Sequence, residues 1–236
     1  MPVVDIIQNI ESRVLFEDNH LLVVNKLATE IVQDDKTGDT SLFDNVKEYI
    51  RTKYKKPGDA FLGVVHRLDR PVSGALIFAK TTKALQRLNK MLQERRIKKA
   101  YWAVVRERPP FIEQELRHYI RRNTKQNKAY IYDKEVKDSQ LAVLDYKLIA
   151  ESDNHFLLEI NLQTGRHHQI RAQLAYIGCP IRGDLKYGFA RSNPGGFIHL
   201  HARDIEFQHP VSKELITITA ACPTDPLWDH FNKITI

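Results

Sequence analysis

Apolar runs and alternating apolar and polar positions dominate the chain, and they predict many short strands and few helices. Runs of strand-forming residues bounded by Gly, Pro or polar turns predict strands at residues 14–17, 20–26, 63–66, 74–80, 98–106, 141–150, 155–162, 197–202, 204–207 and 215–220. Apolar residues at helical spacing predict helices at residues 40–53, 81–96, 166–177 and 226–232. This mixture favours an α+β fold, in which helices flank a large mixed, mostly antiparallel sheet.

The polar segment between these elements predicts further strands. Residues 111–140 are expected to form strands that a long basic loop joins. No internal repeat, low-complexity tract or obvious linker interrupts the sequence, so residues 1–236 are expected to form a single domain. The candidate helix N-caps are Thr40 or Ser41, Thr81 or Thr82, and Thr164.

Composition and short motifs exclude several classes of protein. The 236 residues are 42% hydrophobic and 28% charged, which is typical of a globular chain that folds without disulfides or a metal. No apolar run approaches the ~18 residues of a membrane helix, and the N-terminus lacks the pattern of a signal peptide. Cys179 and Cys222 form no CxxC pair, and the sequence contains neither a P-loop nor a GxGxxG motif. We therefore expect a cytoplasmic protein without a metal site.

The net charge of +7 lies in one stretch of the chain. Residues 95–137 carry thirteen Lys or Arg and five Asp or Glu, a net charge of +8, and the remainder is close to neutral. Aromatic residues are interleaved with these cations, and aromatic rings stack on unpaired bases while cations neutralise phosphates. The window is compatible with an RNA-binding surface, and equally with a solvated basic hairpin that has no partner.

The segment His66-Arg67-Leu68-Asp69, followed by Ser73-Gly74, is the first candidate site. It is a polar loop between two predicted buried strands, a position where a rigid scaffold presents side chains to a ligand. Asp69 is suited to act as a nucleophile or a general base. The same tetrapeptide also fits a turn capped by Asp69, with Arg67 in a surface ion pair.

The second candidate is the segment from Leu162 to Arg171, which includes Thr-Gly-Arg-His-His-Gln. Arg166 stands four residues before Ile170 and is expected on the apolar stripe of the predicted helix. A guanidinium directed inward needs a carboxylate partner, and Asp69 is a natural one that the pairing would keep charged. The alternative is a purely structural buried ion pair. His168 and Arg171, on other faces, are interpreted as RNA contacts or surface groups.

Three further features are weaker. Tyr101 stands on a predicted strand that is apolar on both faces, so it is either a core residue or a ring that stacks on a base. His199 and His201 alternate on a predicted strand, but without an obvious third ligand they do not predict a metal site. Residues 183–188 are interpreted as a structural turn.

Five motifs in order, HRLD-x-x-x-SG, K-x-Y, L-x-TGR-x-HQIR, GD-x-x-YG and LHA-x-x-x-x-F-x-HP, closely resemble the RluA-type pseudouridine synthase family. The resemblance runs from about Val14 to Pro223. It implies an enzyme that isomerises uridine in ribosomal or transfer RNA to pseudouridine, without cofactor or metal. It also implies a mixed sheet with RNA in a central basic cleft. With about thirteen residues before Val14, we expect no separate N-terminal RNA-binding domain.

The resemblance also implies roles for individual residues. Asp69 would be the catalytic aspartate, Tyr101 would pack on the flipped uracil and assist proton removal from C5, and Arg166 would pair with Asp69. Arg67 would enter the space that the flipped nucleotide leaves. The expected RNA contacts are His66, Arg67, Arg121, Arg122, Lys125, Lys128, His168 and Arg171. RNA is the expected partner, and a monomer is expected.

Two departures and two rival functions accompany this interpretation. Arg70-Pro71-Val72 precede Ser73 where the family often has a Thr, and Leu27 replaces the Pro of its Asn-Lys-Pro-Ala segment. Both departures concern loop shape rather than the catalytic positions. The rivals are a catalytically silent RNA-binding protein of the same fold and a nucleoside glycosylase, in which water captures the sugar.

Overall fold

A computed structural model describes residues 3–35, 37–55 and 57–235 of the chain. In that part the α-helices are α1 (Val3–Glu11), α2 (Leu42–Lys53), α3 (Thr82–Gln93), α4 (Gln169–Tyr176) and α5 (Pro226–Ile234). The strands are β1 (Val14–Glu17), β2 (Leu21–Lys26), β3 (Gly63–Val64), β4 (Ser73–Ala79), β5 (Lys98–Val105), β6 (Glu113–Asn123), β7 (Lys128–Tyr132), β8 (Gln140–Ser152), β9 (His155–Leu162), β10 (Leu200–Gln208) and β11 (Leu215–Thr219). The predicted α+β class on a large, mostly antiparallel sheet is confirmed.

The chain divides into two compact units. Unit one comprises the residues up to Lys98 together with Ala202–Ala221, and unit two comprises Lys99–His201 together with the residues from Cys222 onward. The single domain expected over residues 1–236 stays a prediction. Among the described residues, no helix has both the length and the apolarity that crossing a membrane requires.

Unit one is built on strands in the order β1-β2-β4-β10, with β3 added to β4 and β11 to β10. The antiparallel β2–β4 ladder runs from the pair Leu21 and Ala79 to the pair Lys26 and Gly74. Helix α3 packs its apolar face, including Leu88 and Met91, on this sheet. As predicted, the hydroxyls of Ser41 and Thr81 cap α2 and α3. The predicted break between strands at 197–202 and 204–207 is wrong, because β10 runs unbroken through the polar pair at 203–204.

A buried carboxylate, Glu17, holds the elements of unit one together. Its two oxygens accept hydrogen bonds from Lys80 (2.8 Å), Lys53 (2.9 Å), Tyr54 (2.9 Å) and Tyr49 (3.0 Å). Burial alone would raise the pKa of Glu17, but the hydrogen bonds from Lys80, Lys53 and Tyr54 lower it from 4.5 to about 2. Glu17 therefore stays ionised and links β1 to α2 and β4.

We expect Glu17→Gln to lower the free energy of unfolding at pH 7 by about 3 kcal/mol. This is the free energy that corresponds to a carboxyl pKa that decreases from 4.5 to about 2 on folding. Because the folded-state pKa is the lower one, this contribution is complete above pH 4.5 and disappears towards pH 2. Urea unfolding between pH 3 and 7 measures it. Glu48→Gln, which removes an exposed pair with Arg51, is the control and should cost less than about 1 kcal/mol. A difference between wild type and Glu17→Gln that is independent of pH would contradict the prediction.

Unit two has strands in the order β5-β9-β8-β6-β7. The predicted β8–β9 hairpin is confirmed. Four residues, 124–127, join β6 to β7, so the predicted long basic loop is wrong. The turn is short because the backbone N–H of Gln126 donates to Asn123 Oδ1 (3.0 Å) and Asn127 takes a left-handed conformation, φ 47°, that Asn tolerates.

Candidate active site

The loop that carries Asp69 lies in unit one, between β3 and β4. Leu68 is buried while the side chains of Arg67 and Arg70 are exposed, and Asp69 is half-buried. The backbone N–H of Val72 donates to the carbonyl oxygen of Asp69 (3.0 Å), which closes a turn over residues 69–72. An apolar anchor and a closed turn therefore fix the backbone position of Asp69.

His66 and the Ser-Gly pair fix the two ends of this loop. His66 Nε2 accepts a hydrogen bond from the backbone N–H of Ile77 (3.3 Å), so its ring is oriented by β4. Gly74 has φ +120°, and a Cβ there would stand 2.3 Å from the carbonyl oxygen of Ala202. Only glycine fits, because a side chain would collide with the backbone of β10. The RNA contact expected of His66 stays a prediction.

Lys26, at the end of β2, is fully buried beside this loop. Its Nζ donates to the carbonyl oxygens of Val72 (2.7 Å), Leu27 (2.9 Å) and Arg70 (3.2 Å). Burial lowers the pKa of Lys26 to about 7, although the charges of Glu30 and Asp69 act to raise it. Sequence reasoning assigned no role to Lys26. The sequence contains one indication of its burial. Lys26 stands at an alternate position of β2 with the buried residues Leu22 and Val24, so its side chain points to the same face of the strand.

Tyr101 lies in unit two on β5, where both faces of the strand are buried. It is paired with Ile160 of β9 and is 6% exposed. The expectation of a strand that is apolar on both faces is confirmed, and the stacking role of the ring stays a prediction.

Arg166, also in unit two, lies before α4 and not on it. The helix begins at Gln169 after His168, so Thr164 is not its N-cap and the placement of Arg166 on an apolar helical stripe is wrong. The Thr164 hydroxyl instead accepts a hydrogen bond from the N–H of Val143 in β8 (2.8 Å). Arg166 is half-buried, and its Nε donates to the carbonyl oxygen of Leu141 (3.0 Å). This contact orients Arg166 along β8, and its pairing with Asp69 stays a prediction.

His168 and Arg171 are buried, so their interpretation as surface groups is wrong. Arg171 donates two hydrogen bonds to Asp184, from Nε (2.7 Å) and Nη2 (2.9 Å). His168 Nδ1 lies 2.9 Å from the hydroxyl of Tyr187, and burial together with nearby cations, Arg171 first, lowers the pKa of His168 to about 2. Both side chains hold α4 to the segment around 184–187, and the RNA contacts expected of them stay a prediction.

The expected RNA-binding cations of the hairpin lie on different faces of the sheet. Arg121 and Arg122 are adjacent on β6, and successive strand residues point to opposite faces. Arg121 donates to the hydroxyl of Tyr132 (2.6 Å) and lies over that ring. Arg122 is on the α4 side, where its charge acts on His168. Lys125 lies in the turn and Lys128 begins β7.

Comparison with known proteins identifies the family. Residues 20–176 match the family model described as RNA pseudouridylate synthase. An uncharacterized RNA pseudouridine synthase of Synechocystis, slr1629, is 31% identical over 241 residues, which cover 100% of this chain and 72% of the relative. The ribosomal large subunit pseudouridine synthase C of Buchnera aphidicola is 34% identical over 226 residues, covering 92% of this chain and 69% of the relative. This chain belongs to the RNA pseudouridine synthase family. Within that family it is of the RluA type, as the resemblance implied.

Two solved structures share the pseudouridine synthase fold. Human RNA pseudouridylate synthase domain containing 4 superposes with a TM-score of 0.79 at 20% identity, over 99% of this chain and 96% of that one. Human RNA pseudouridylate synthase domain containing 1 gives a TM-score of 0.73 at 24% identity, over 95% and 88% of the two chains. The predicted pseudouridine synthase fold is confirmed, whereas the central RNA-binding cleft stays a prediction.

Two buried polar clusters of this pseudouridine synthase escaped sequence reasoning. The segment 183–188, interpreted as a turn, contains Asp184, the buried partner of Arg171. His199 lies just before β10 rather than on it, and its ring nitrogens contact Asn193 Nδ2 and Asp225 Oδ1, both at 3.0 Å. Within residues 3–35, 37–55 and 57–235, no group of three His, Cys, Asp or Glu side chains could hold a metal ion.

Proposed function

We propose that this enzyme converts uridine to pseudouridine in structured ribosomal or transfer RNA, with Asp69 as the catalytic carboxylate. The observation that carries the proposal is the family match over residues 20–176, which includes the loop where a closed turn holds Asp69. Relatives named ribosomal large subunit pseudouridine synthase favour ribosomal RNA as the substrate.

In the proposed reaction the target uridine leaves its stack, at a cost of a few kcal/mol, to reach the enzyme. The N1–C1′ bond breaks, the uracil turns, and a C5–C1′ bond forms; C5 then loses its proton and N1 gains one. Asp69 acts on the sugar, either by attack at C1′ or as a base towards a glycal intermediate. Tyr101 packs on the uracil and assists loss of the C5 proton. Arg166 pairs with Asp69, and Arg67 fills the space of the flipped nucleotide.

A tritium-release assay tests the proposed function. RNA transcripts labelled with tritium at C5 of uridine are incubated with the wild-type protein, and tritium in water and free uracil are both measured. Tritium release without free uracil supports the synthase. Release of free uracil would indicate a glycosylase, and RNA binding without any tritium release would indicate a silent RNA-binding protein. Either result would overturn the proposal.

Arg122 and Lys128 are the strongest candidates in the hairpin for contacts with RNA phosphates. In the part of the chain that the structure describes, no carboxylate forms an ion pair with either side chain. Lys186 adds a third cation, since its Nζ donates to the carbonyl oxygen of Asn127 in the turn of the hairpin (3.1 Å). Arg121, by contrast, donates to the hydroxyl of Tyr132 (2.6 Å). Arg122, Lys128 and Lys186 thus place three positive charges near the turn of the hairpin, where Lys128 is paired with Asn123.

We expect the double variant Arg122→Gln/Lys128→Gln to bind RNA more weakly, with a salt-dependence slope smaller by roughly 0.7–0.9 for each phosphate that the variant no longer neutralises. Arg121→Gln is the matched control, and its slope should change by less than half as much. Filter binding or fluorescence anisotropy between 50 and 300 mM KCl gives the slopes. Equal slopes for the wild type and the double variant would remove Arg122 and Lys128 from the proposed RNA footprint.

RNA is the proposed partner, and we propose that the enzyme acts as a monomer in the cytoplasm without cofactor or metal. Light scattering coupled to gel filtration tests the monomer directly. A mass twice that of the chain would contradict it.

A further inference from the structure

Lys26 is a charged side chain with no exposed surface, at the end of an apolar strand. We propose that Lys26 is the positioning residue of Asp69: its ammonium group fixes the turn 69–72 and sets a positive charge near the carboxylate. This inference rests on the proposed function, in which Asp69 is the catalytic group.

The ammonium group of Lys26 has a complete set of acceptors. Lys26 has three N–H donors, and its Nζ has three carbonyl acceptors within 3.2 Å. Two of these acceptors, Arg70 and Val72, belong to the turn that Asp69 begins. Opposite Lys26 on β4 stands Gly74, the residue where that loop rejoins the sheet. One side chain therefore anchors both the turn and the end of β2.

Other contacts hold the segment that follows Lys26 in place. The backbone N–H of Thr29 donates to the same Arg70 carbonyl oxygen (2.7 Å), so the segment after β2 holds the turn from a second direction. Glu30 accepts a hydrogen bond from the N–H of Leu27 (2.9 Å) and forms an ion pair with Arg13 (2.9 Å). These contacts fix the segment to which Lys26 is joined, so a displacement of the ammonium would be transmitted to the turn.

Electrostatics also favours a role for Lys26 at this loop. A buried ammonium is costly, and an apolar side chain of similar length would fill the same space without that cost. The charges that act on Lys26 are those of Glu30 and Asp69, which favour its charged form, and of Arg13 and Arg70, which oppose it. The attraction between Lys26 and Asp69 is mutual. The hydrogen bonds to the carbonyl groups and the attraction to these two carboxylates stabilise the charged form of Lys26. The positive charge at this position is therefore explained by the surroundings of the Asp69 loop and not by packing.

Lys80 provides a matched control within the same unit. It is also a buried lysine, 6% exposed, but its partner is Glu17. Lys80 follows the opposite end of the β2–β4 ladder, six residues after Gly74, which is about 20 Å along a strand. Lys80→Met therefore removes a buried lysine and its ion pair without touching the turn.

The experiment compares Lys26→Met, Lys26→Gln, Lys80→Met, Asp69→Asn and the wild type in single-turnover tritium release, RNA affinity and urea unfolding. We expect Lys26→Met to react about 100-fold more slowly while RNA affinity stays within about twofold, because a displaced turn misplaces the carboxylate and not the RNA-binding surface. Lys26→Gln keeps two N–H donors and should fall between Lys26→Met and wild type. Lys80→Met should lose stability but react within about threefold of wild type.

The outcomes separate this inference from the proposed function. A wild type without tritium release, or an active Asp69→Asn, would overturn the proposed function. If the wild type is active and Asp69→Asn is not, but Lys26→Met reacts as fast as Lys80→Met, only the role of Lys26 is overturned. Should Lys26→Met fail to fold, Lys26→Gln carries the test, and a rate equal to that of Lys80→Met would overturn the role.

Discussion

Asp69→Asn should abolish tritium release, with a loss of roughly 10⁴-fold or more, while RNA binding persists. An amide has neither the negative charge nor the basicity of a carboxylate, so it cannot act on C1′ by attack or as a base. The substitution is close to isosteric, and the hydrogen bond that closes the turn uses the backbone carbonyl of residue 69. The turn should therefore survive the substitution.

The measurement is single-turnover tritium release at saturating enzyme, with urea unfolding of each protein. Asp59→Asn makes the same chemical change in unit one at a side chain that is 81% exposed and paired with Lys47, and it should react like the wild type. An Asp69→Asn protein that retains even a tenth of the wild-type rate would exclude Asp69 as the catalytic carboxylate.

Asp184→Asn should lower the free energy of unfolding by about 3–5 kcal/mol, because it removes the carboxylate that pairs with the buried guanidinium of Arg171. The side chains of Arg171 and Asp184 are 6% and 1% exposed, so water cannot replace the missing carboxylate. Adding Arg171→Met to Asp184→Asn should recover part of the loss, since the buried charge is then gone.

Urea unfolding of the two single variants and the double variant forms a thermodynamic cycle that isolates the pair. Glu151→Gln, which removes an exposed ion pair with Arg108 in the same unit, is the control and should change the stability by less than about 1 kcal/mol. Single variants whose effects simply add in the double variant would show that the two side chains do not stabilise each other.

Local signals of the sequence predict local structure well. Ser41 and Thr81 cap helices because their partners, the backbone N–H groups of Asp44 and Ala84, lie three residues away. Thr164 has the same chemistry, but its hydroxyl contacts Val143, 21 residues earlier. A competing contact that is distant in sequence cannot be inferred from helical spacing, and so that spacing misplaces both the start of α4 and Arg166.

The candidate site shows the same limit. The loop of Asp69 is evident from a polar segment between two apolar runs. The contact of Lys26 with this loop is not evident from the sequence, since Lys26 and Val72 are 46 residues apart. Arg171 resembles a surface group in sequence because its partner, Asp184, lies 13 residues away in a segment that resembles a simple turn. Buried charges require their partners, and those partners become visible only when the chain is folded.

The strand geometry of Arg121 and Arg122 has a consequence for how this hairpin can change during evolution. Because side chains alternate along β6, removing one residue between Leu116 and Ile120 would exchange the two faces for every position on one side of the deletion. Arg122 would then leave the α4 side, and a buried apolar residue would be carried into water. A substitution changes one side chain of the hairpin, but a single insertion or deletion exchanges the faces of all side chains on one side of it. We therefore expect members of this lineage to differ in the residue types of β6 and to keep its length.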